Sequence, residues 1–404
     1  MRFTFIHAAD LHIDSPLESL GAKDPEIAKL FARAGRAAVE ALISETLASE
    51  ARFLVISGDI FDGDWRDVST GHFFVRQLGE LHRRGVPVFI VKGNHDAEGV
   101  ITGNLTYPSS AHIFSSLRAE TRFLEDLRVA LHGRSFTHKR PAEDFVTTYP
   151  ARREGWLNIG VLHTGLDGVR GHNPYAPCTI ADLARHGYDY WALGHIHAAE
   201  IVACDPYVVF PGNLQGRSPR ETGPKGAMRV TVEDGRVVAV EPLILDAARW
   251  AHESVDMSGV ADEAEAQDRI AKAISSAHAG ADGRPLALRI SLTGETPAHG
   301  KLLARREVIE ADARARAFGI ASDCWVERVK ILTRAAPERP LGLEADALDV
   351  DALISEAAAD PEFLALVADL QRSIGEKLPG ALQGEWKLDD AAALARDFLK
   401  GERA

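Results

Sequence analysis

Five short runs in the first half of the chain are almost wholly apolar, and each stops at a polar cluster. Residues 3–8, 53–57, 87–91, 157–162 and 190–193 are too short for helices and are bounded by Gly, Asp, Asn or His, so they read as strands buried on both faces. Between them the period changes. Residues 24–50 place Ile27, Leu30, Phe31, Ala34, Ala38 and Leu42 at helical spacing, with Pro25 near the start. A second amphipathic stretch, 69–84, ends before Gly85, where a glycine is expected just past a helix. Strands alternating with helices predict an α/β fold with a largely parallel sheet.

Further along, residues 227–232 and 236–245 flank Asp234-Gly235 and read as a hairpin. Residues 262–278, 286–292, 301–316 and 325–332 then run helix, strand, helix, strand, a separate small α/β unit. The Pro-rich stretch 335–342 reads as a linker, and 346–400 is Ala- and Leu-rich with helical periodicity interrupted at Pro361 and Pro379. The expected division is 1–247, 248–336 and 337–404. At 404 residues, two or three domains are expected.

Charge alters the picture only slightly. The net value of −13 is concentrated behind residue 250: residues 1–250 carry 27 basic and 31 acidic side chains, the rest 19 and 28. That balance argues against strong, metal-independent binding to nucleic acid, although bound cations would change the field where a phosphate docks. Three cysteines, Cys178, Cys204 and Cys324, have neither metal nor redox spacing and read as thiols of a reducing compartment. No apolar run is long enough to span a bilayer, so no membrane association and a cytoplasmic location are expected.

The chemistry lies where the strands stop. Asp10-Leu11-His12, Gly58-Asp59-Ile60-Phe61-Asp62, Gly93-Asn94-His95-Asp96, His163 and Gly194-His195-Ile196-His197 each follow one apolar run. Side chains at the carboxyl ends of neighbouring strands converge on one crevice. Asp10 and His12, two apart, share a side of an extended segment, as do His195 and His197. Imidazole nitrogens with carboxylate or amide oxygens, and no thiolate, suit Mn²⁺ or Fe²⁺ better than structural zinc. Asp59 is the natural bridge between two cations, and such a pair implies in-line displacement at phosphorus. Next to the ligand set, His95 is placed to donate a proton to a leaving oxygen, with Asp96 expected to orient it. Any one of these residues alone is ordinary; five clusters in series are not.

In order, D-x-H, GD-x-x-D, GNHD, a lone His and GH-x-H resemble the calcineurin-like metallophosphoesterases. Asp10 to Leu17, Ser57 to Asp62, Leu193 to His197, Phe210 to Arg217 and Arg220-Glu221-Thr222-Gly223 are similar, more narrowly, to DNA repair exonucleases of the SbcD type and their YhaO branch. One departure is Leu11, where SbcD proper has Trp. The resemblance covers about residues 1–250 and implies a β-sandwich flanked by helices, with a small α/β capping domain and C-terminal helices behind it. It implies one metal held by Asp10, His12, Asp59 and His197, and a second held by Asp59, Asn94, His163 and His195. His95 would be the general acid and a bridging hydroxide the nucleophile on a DNA phosphodiester. Two Mn²⁺ ions, with Fe²⁺ or Mg²⁺ as alternatives, a homodimer and a coiled-coil ATPase of the SbcC or YhaN type are the cofactors and partners so implied. The same metal core also serves phosphatases and phosphodiesterases on small molecules or phosphoproteins, and a scaffold for the ATPase is a third reading. Arg217, Arg220 and Lys225, close after His197, are candidate contacts to a DNA backbone.

Overall fold

The computed structural model describes residues 1–15, 25–62, 68–98, 105–166, 175–336, 355–356 and 359–375. Pro16 and Leu17 of the first motif, the linker beyond Ala336 and most of the expected helical tail lie outside the described residues. The described chain divides into two units, one of Met1–Ala251 with Arg284–Ala287, the other of His252–Gly283 with the residues from Leu288 onward.

Along the first unit run β1 (Arg2–Ala8), α1 (Pro25–Ala48), β2 (Leu54–Ser57), α2 (Val68–Arg83), β3 (Val88–Val91), β4 (Ala111–Ile113), β5 (Glu120–Leu124), β6 (Val129–Gly133), β7 (Leu157–His163), α3 (Ile180–His186), β8 (Tyr190–Gly194), β9 (Glu200–Cys204), β10 (Tyr207–Phe210), β11 (Gly226–Glu233) and β12 (Arg236–Ile244). They form two six-stranded sheets, ordered β12-β11-β1-β2-β3-β4 and β5-β6-β7-β8-β10-β9. β1 to β4 are parallel neighbours, and so are β6, β7, β8 and β10; antiparallel strands close the edges.

A single largely parallel sheet, the expectation from periodicity alone, therefore splits into two. Phe5, Phe53, Val55 and Phe89 from the first sheet bury against Leu131, Ile159, Val161 and Ala192 of the second. On its outer face the first sheet sets Ile6, Leu54 and Ile56 against Leu42 of α1 and Phe73, Phe74 and Leu78 of α2. Leu183 of α3 packs with Trp191, Leu193 and Phe210 outside the second sheet. Every central strand is thus covered twice, which is why its residues are continuously apolar. Phe73, Phe74 and Leu78, broad enough as a face to suggest a partner surface, are consumed by this core.

His7, inside β1, is fully buried and satisfied: its ring nitrogens meet Tyr190 Oη at 3.0 Å and Ser57 Oγ at 3.1 Å. Because the Ser57 hydroxyl donates to the Ala192 carbonyl at 2.9 Å, it accepts from His7 Nε2–H, and His7 Nδ1 accepts from the tyrosine. The three groups link the two sheets just beneath the strand ends.

In the second unit, β13 (Arg249–Asp256), β14 (Leu286–Thr293) and β16 (Cys324–Ile331) form a three-stranded sheet in the order β13-β14-β16, the chain crossing from the first unit within β13. α4 (Glu263–Ala279) is capped by Asp262, whose side chain accepts from Glu265 N. The helix expected at 301–316 is in fact two, α5 (His299–Ala304) and α6 (Arg306–Ile320), broken at Arg305. β15 (Glu295–Thr296) pairs with β17 (Arg334–Ala335), and α7 (Pro361–Gly375) lies in the tail. No helix among the described residues is long and apolar enough to cross a membrane.

Candidate metal centre

Asp10, His12, Asp59 and Asn94 leave the ends of β1, β2 and β3 in one sheet, while His163 ends β7 and His195 and His197 follow β8 in the other. The loops are stitched to each other by the backbone. Asp10 N donates to Gly58 O at 3.0 Å, His12 N to Asp59 O at 3.0 Å and Ile13 N to Ile60 O at 2.9 Å. Across the sheets, His195 N donates to the Asp10 carboxylate at 2.9 Å. A Cβ on Gly194 would overlap the Ser57 carbonyl, so only glycine lets the two sheets close here.

This closure holds several residues in left-handed backbone: φ is 52° at Asp10, 42° at His12, 53° at Asp59 and 100° at His195. Non-glycine residues in that region are strained by about 1–3 kcal/mol each and cluster at functional sites.

All seven side chains expected as ligands converge. Asp10, His12 and His197 form one group whose ligand atoms lie within 4.8 Å of one another, and Asp59, His163 and His195 form another. Asp59 Oδ2 stands between them, 3.8 Å from His12 Nε2 and 3.5 Å from His163 Nε2. Asn94 Oδ1 is 2.9 Å from His163 Nε2. Asp10, His12, Asp59, Asn94 and His163 are all but sealed, each at most 3% exposed, while His197 is half-buried.

The placement of protons tests whether a cation belongs here. His12 Nδ1 is 2.7 Å from Asp62 and His197 Nδ1 is 2.8 Å from Glu221. Both carboxylates are ionised. Burial opposes the charge on Glu221, but the hydrogen bond from His197 and the charge of Arg217 bring its pKa down to about 2; Asp62, bonded to His12 and His95, lies lower still. Both imidazoles therefore carry their proton on Nδ1. Burial, then Arg217, lowers the His12 pKa to about 4, so its Nε2 is a bare lone pair. Yet the two Nε2 atoms face each other at 3.3 Å. The pair needs positive charge between its nitrogens, which a shared proton or a cation beside Asp10 supplies.

The second group repeats the argument. His163 Nδ1 donates to Ser57 O at 2.9 Å, turning Nε2 toward Asn94 Oδ1 and Asp59 Oδ2, both acceptors. Burial would lower the His163 pKa, but the Asp59 carboxylate raises it to about 9, and Asp59 itself is held well below the usual carboxylate range. Positive charge is required between these atoms, from a proton or from a metal. The donor set fits a pair of divalent cations.

His95 stands outside both ligand groups, at the rim, with its side chain 36% exposed and Nδ1 3.1 Å from Asp62. That hydrogen bond raises its pKa above 6.5, against the opposing effect of burial. Asp96, expected to orient His95, does something else. Its carboxylate accepts from Ile60 N at 3.0 Å, Phe61 N at 3.0 Å and Gly93 N at 3.1 Å, tying the β2 loop to the β3 loop. Neighbours in sequence point apart here, and the orienting carboxylate is Asp62, three residues after Asp59.

Two functional groups had no role assigned from sequence: Asp62 and Glu221. Asp62 was visible in its motif; Glu221 lies 24 residues from His197 and only the folded chain joins them. Of the cations proposed for DNA, Arg217 is turned inward to Asp62, Ser15 and Glu221, and Lys225 donates to His197 O at 3.0 Å; Arg220 is exposed.

A helix-flanked β-sandwich with His, Asp and Asn gathered at its strand ends defines a metallophosphoesterase. Residues 3–199 match the calcineurin-like phosphoesterase family, and residues 250–334 match the family described as the middle domain of metallophosphoesterase YhaO. The chain thus carries a calcineurin-like metallophosphoesterase domain followed by a YhaO-type middle domain, and such phosphoesterases use divalent metals. It is similar to the uncharacterized metallophosphoesterase YhaO of Bacillus subtilis (strain 168), with 36% identity over 238 residues, 58% of either chain. It is also similar to the DNA double-strand break repair protein Mre11 of Methanopyrus kandleri, with 24% identity over 214 residues, 47% of this chain and 44% of that protein. Both alignments span less than two thirds of the relative's length. A crystal structure of TT1561 from Thermus thermophilus aligns over 60% of this chain and 99% of that one at 13% identity, with a TM-score of 0.35, too low to bear on the fold.

Proposed function

We propose that this chain is a manganese-dependent phosphodiesterase acting on DNA, chiefly as an exonuclease. The observation that carries the metal-dependent part is the facing pair of His12 and His197 Nε2 atoms, 3.3 Å apart with both Nδ1 protons already committed to carboxylates. Asp10, His12, Asp59 and His197 would hold one cation, and Asp59, Asn94, His163 and His195 the other; such a pair activates water and neutralises phosphoryl charge. The protein's own contribution is geometry and a proton. Asp59 keeps the two groups in register, and the strained loops hold them rigidly. His95, kept protonated by Asp62 and open to solvent at the rim, donates to the departing oxygen of the cleaved ester. DNA as substrate is favoured by the similarity to the DNA double-strand break repair protein Mre11. On the same reading the working state is a homodimer with a coiled-coil ATPase partner.

Purified full-length chain is incubated with linear duplex DNA, a generic phosphodiester and a phosphomonoester, with Mn²⁺ and then with chelator. Mn²⁺-dependent shortening of DNA that chelator stops, and that His95→Ala slows by about 10²–10⁴, is the expected result. Inert DNA beside rapid turnover of the monoester would overturn the nuclease reading.

A further inference from the structure

The two carboxylates behind His12 and His197 are joined by one residue. Arg217 Nη1 lies 3.4 Å from Asp62 Oδ2 and Nη2 lies 3.5 Å from Glu221 Oε1; Nη1 also donates to Ser15 Oγ at 3.1 Å. At its other end Arg217 is fixed by its backbone, because Glu221 Oε2 accepts from Arg217 N at 2.6 Å. Glu221 Oε2 further accepts from Asn213 Nδ2 at 3.1 Å, and Asn213 sits fully buried beside β1, where it bridges Ala9. The contacts close a ring that runs His12, Asp62, Arg217, Glu221, His197 and back to His12 across the facing Nε2 atoms.

Resting on the two-cation reading, we infer that Arg217 and Glu221 are positioning residues that set the span between His12 and His197 and so tune one of the two cation sites and not the other. The planar guanidinium fixes how far apart two ionised carboxylates stand, which a point charge on a flexible stem does not. Each carboxylate then fixes the tautomer and the ring plane of one imidazole. The group of Asp59, His163 and His195 draws on none of these contacts: His163 takes its orientation from the Ser57 carbonyl. Arg217 is thereby spoken for by the protein and is not a contact to the DNA backbone.

The test uses the full chain stripped of metal, with Mn²⁺ as the probe and the free ion followed by electron paramagnetic resonance. Wild type binds two ions. In Arg217→Met and in Glu221→Gln, one ion is expected to bind 10–100-fold more weakly while the other stays within about threefold. Arg217→Lys keeps the charge but not the fork, and recovers only part of the loss. It also replaces Arg217→Met if the melting curve shows that variant unfolded. Side-chain ¹⁵N spectra of the metal-stripped protein add a second readout, with Glu221→Gln expected to change the His197 tautomer signals and leave those of His163. Two ions bound as tightly in the variants as in wild type, or both weakened equally, would overturn the assignment. A wild type that binds fewer than two ions would overturn the two-cation reading itself.

Discussion

Nδ1 of His95 lies 3.1 Å from Oδ1 of Asp62, the same oxygen that receives His12 Nδ1 at 2.7 Å. One carboxylate oxygen therefore serves a buried imidazole of the metal centre and an exposed one at the rim. A general acid must hold its proton, so activity is present below the His95 pKa and lost as the pH rises through it. Asp62 keeps that pKa above 6.5. With Mn²⁺ saturating, Asp62→Asn should move the alkaline fall of kcat/KM to lower pH. A fall at the wild-type position would show that His95 is not the acid.

Asp96 should behave as a structural staple. Removing its carboxylate leaves the Ile60, Phe61 and Gly93 amides without their acceptor. Unsatisfied buried donors cost about 1–3 kcal/mol each, so Asp96→Ala should destabilise by at least about 2 kcal/mol in urea unfolding. The alkaline limb of the pH profile, governed by Asp62 and His95, should stay in place; its displacement would restore Asp96 to the proton-donating pair.

Gly194 tests whether closure of the sandwich builds the centre. A methyl group there collides with the Ser57 carbonyl, the acceptor that orients His163, and approaches His163 Nδ1 to 3.0 Å. Overpacking of this kind costs about 1–3 kcal/mol. Gly194→Ala should lower the melting temperature and weaken Mn²⁺ binding together. Unimpaired Mn²⁺ binding in this variant would separate the metal centre from the packing of the two sheets.

His7 gives stability a pH dependence. Burial holds its pKa down at about 3, against 6.5 in the unfolded chain. The unfolded state takes up the proton first, so the contribution is intact above the unfolded value and lost as the pH falls through it toward about 3. Between pH 7 and pH 5 the advantage of wild type over His7→Gln should shrink by about 2 kcal/mol. Equal pH dependence of the two proteins in urea unfolding would mean that His7 is not held neutral.

What could be read in the sequence was whatever chemistry repeats locally. Asp10, His12, Asp59, Asn94, His163, His195 and His197 are conspicuous because each stands just past an apolar run, and the fold gathers all seven. Contacts between distant segments were hidden. Glu221 meets His197, and Asp62 meets His12 across 50 residues, through tertiary structure that no spacing encodes. Adjacency misled at Asp96, where the backbone turns the carboxylate away from the neighbouring ring. The second sheet was hidden from periodicity, because a strand covered on both faces reads alike in one sheet or two; the family resemblance alone implied the sandwich. Neither Gly nor Pro marks the break at Arg305, so nothing warned that a continuous helical pattern would be cut there.

The left-handed conformations of Asp10, His12, Asp59 and His195 make this pocket a tax on folding that the rest of the sandwich must cover. Glycine at any of the four would relax the chain, so the sturdiest versions of this protein should be those that have forfeited its chemistry. Selection for heat tolerance alone would erode the centre, and engineering for robustness should leave these four positions untouched.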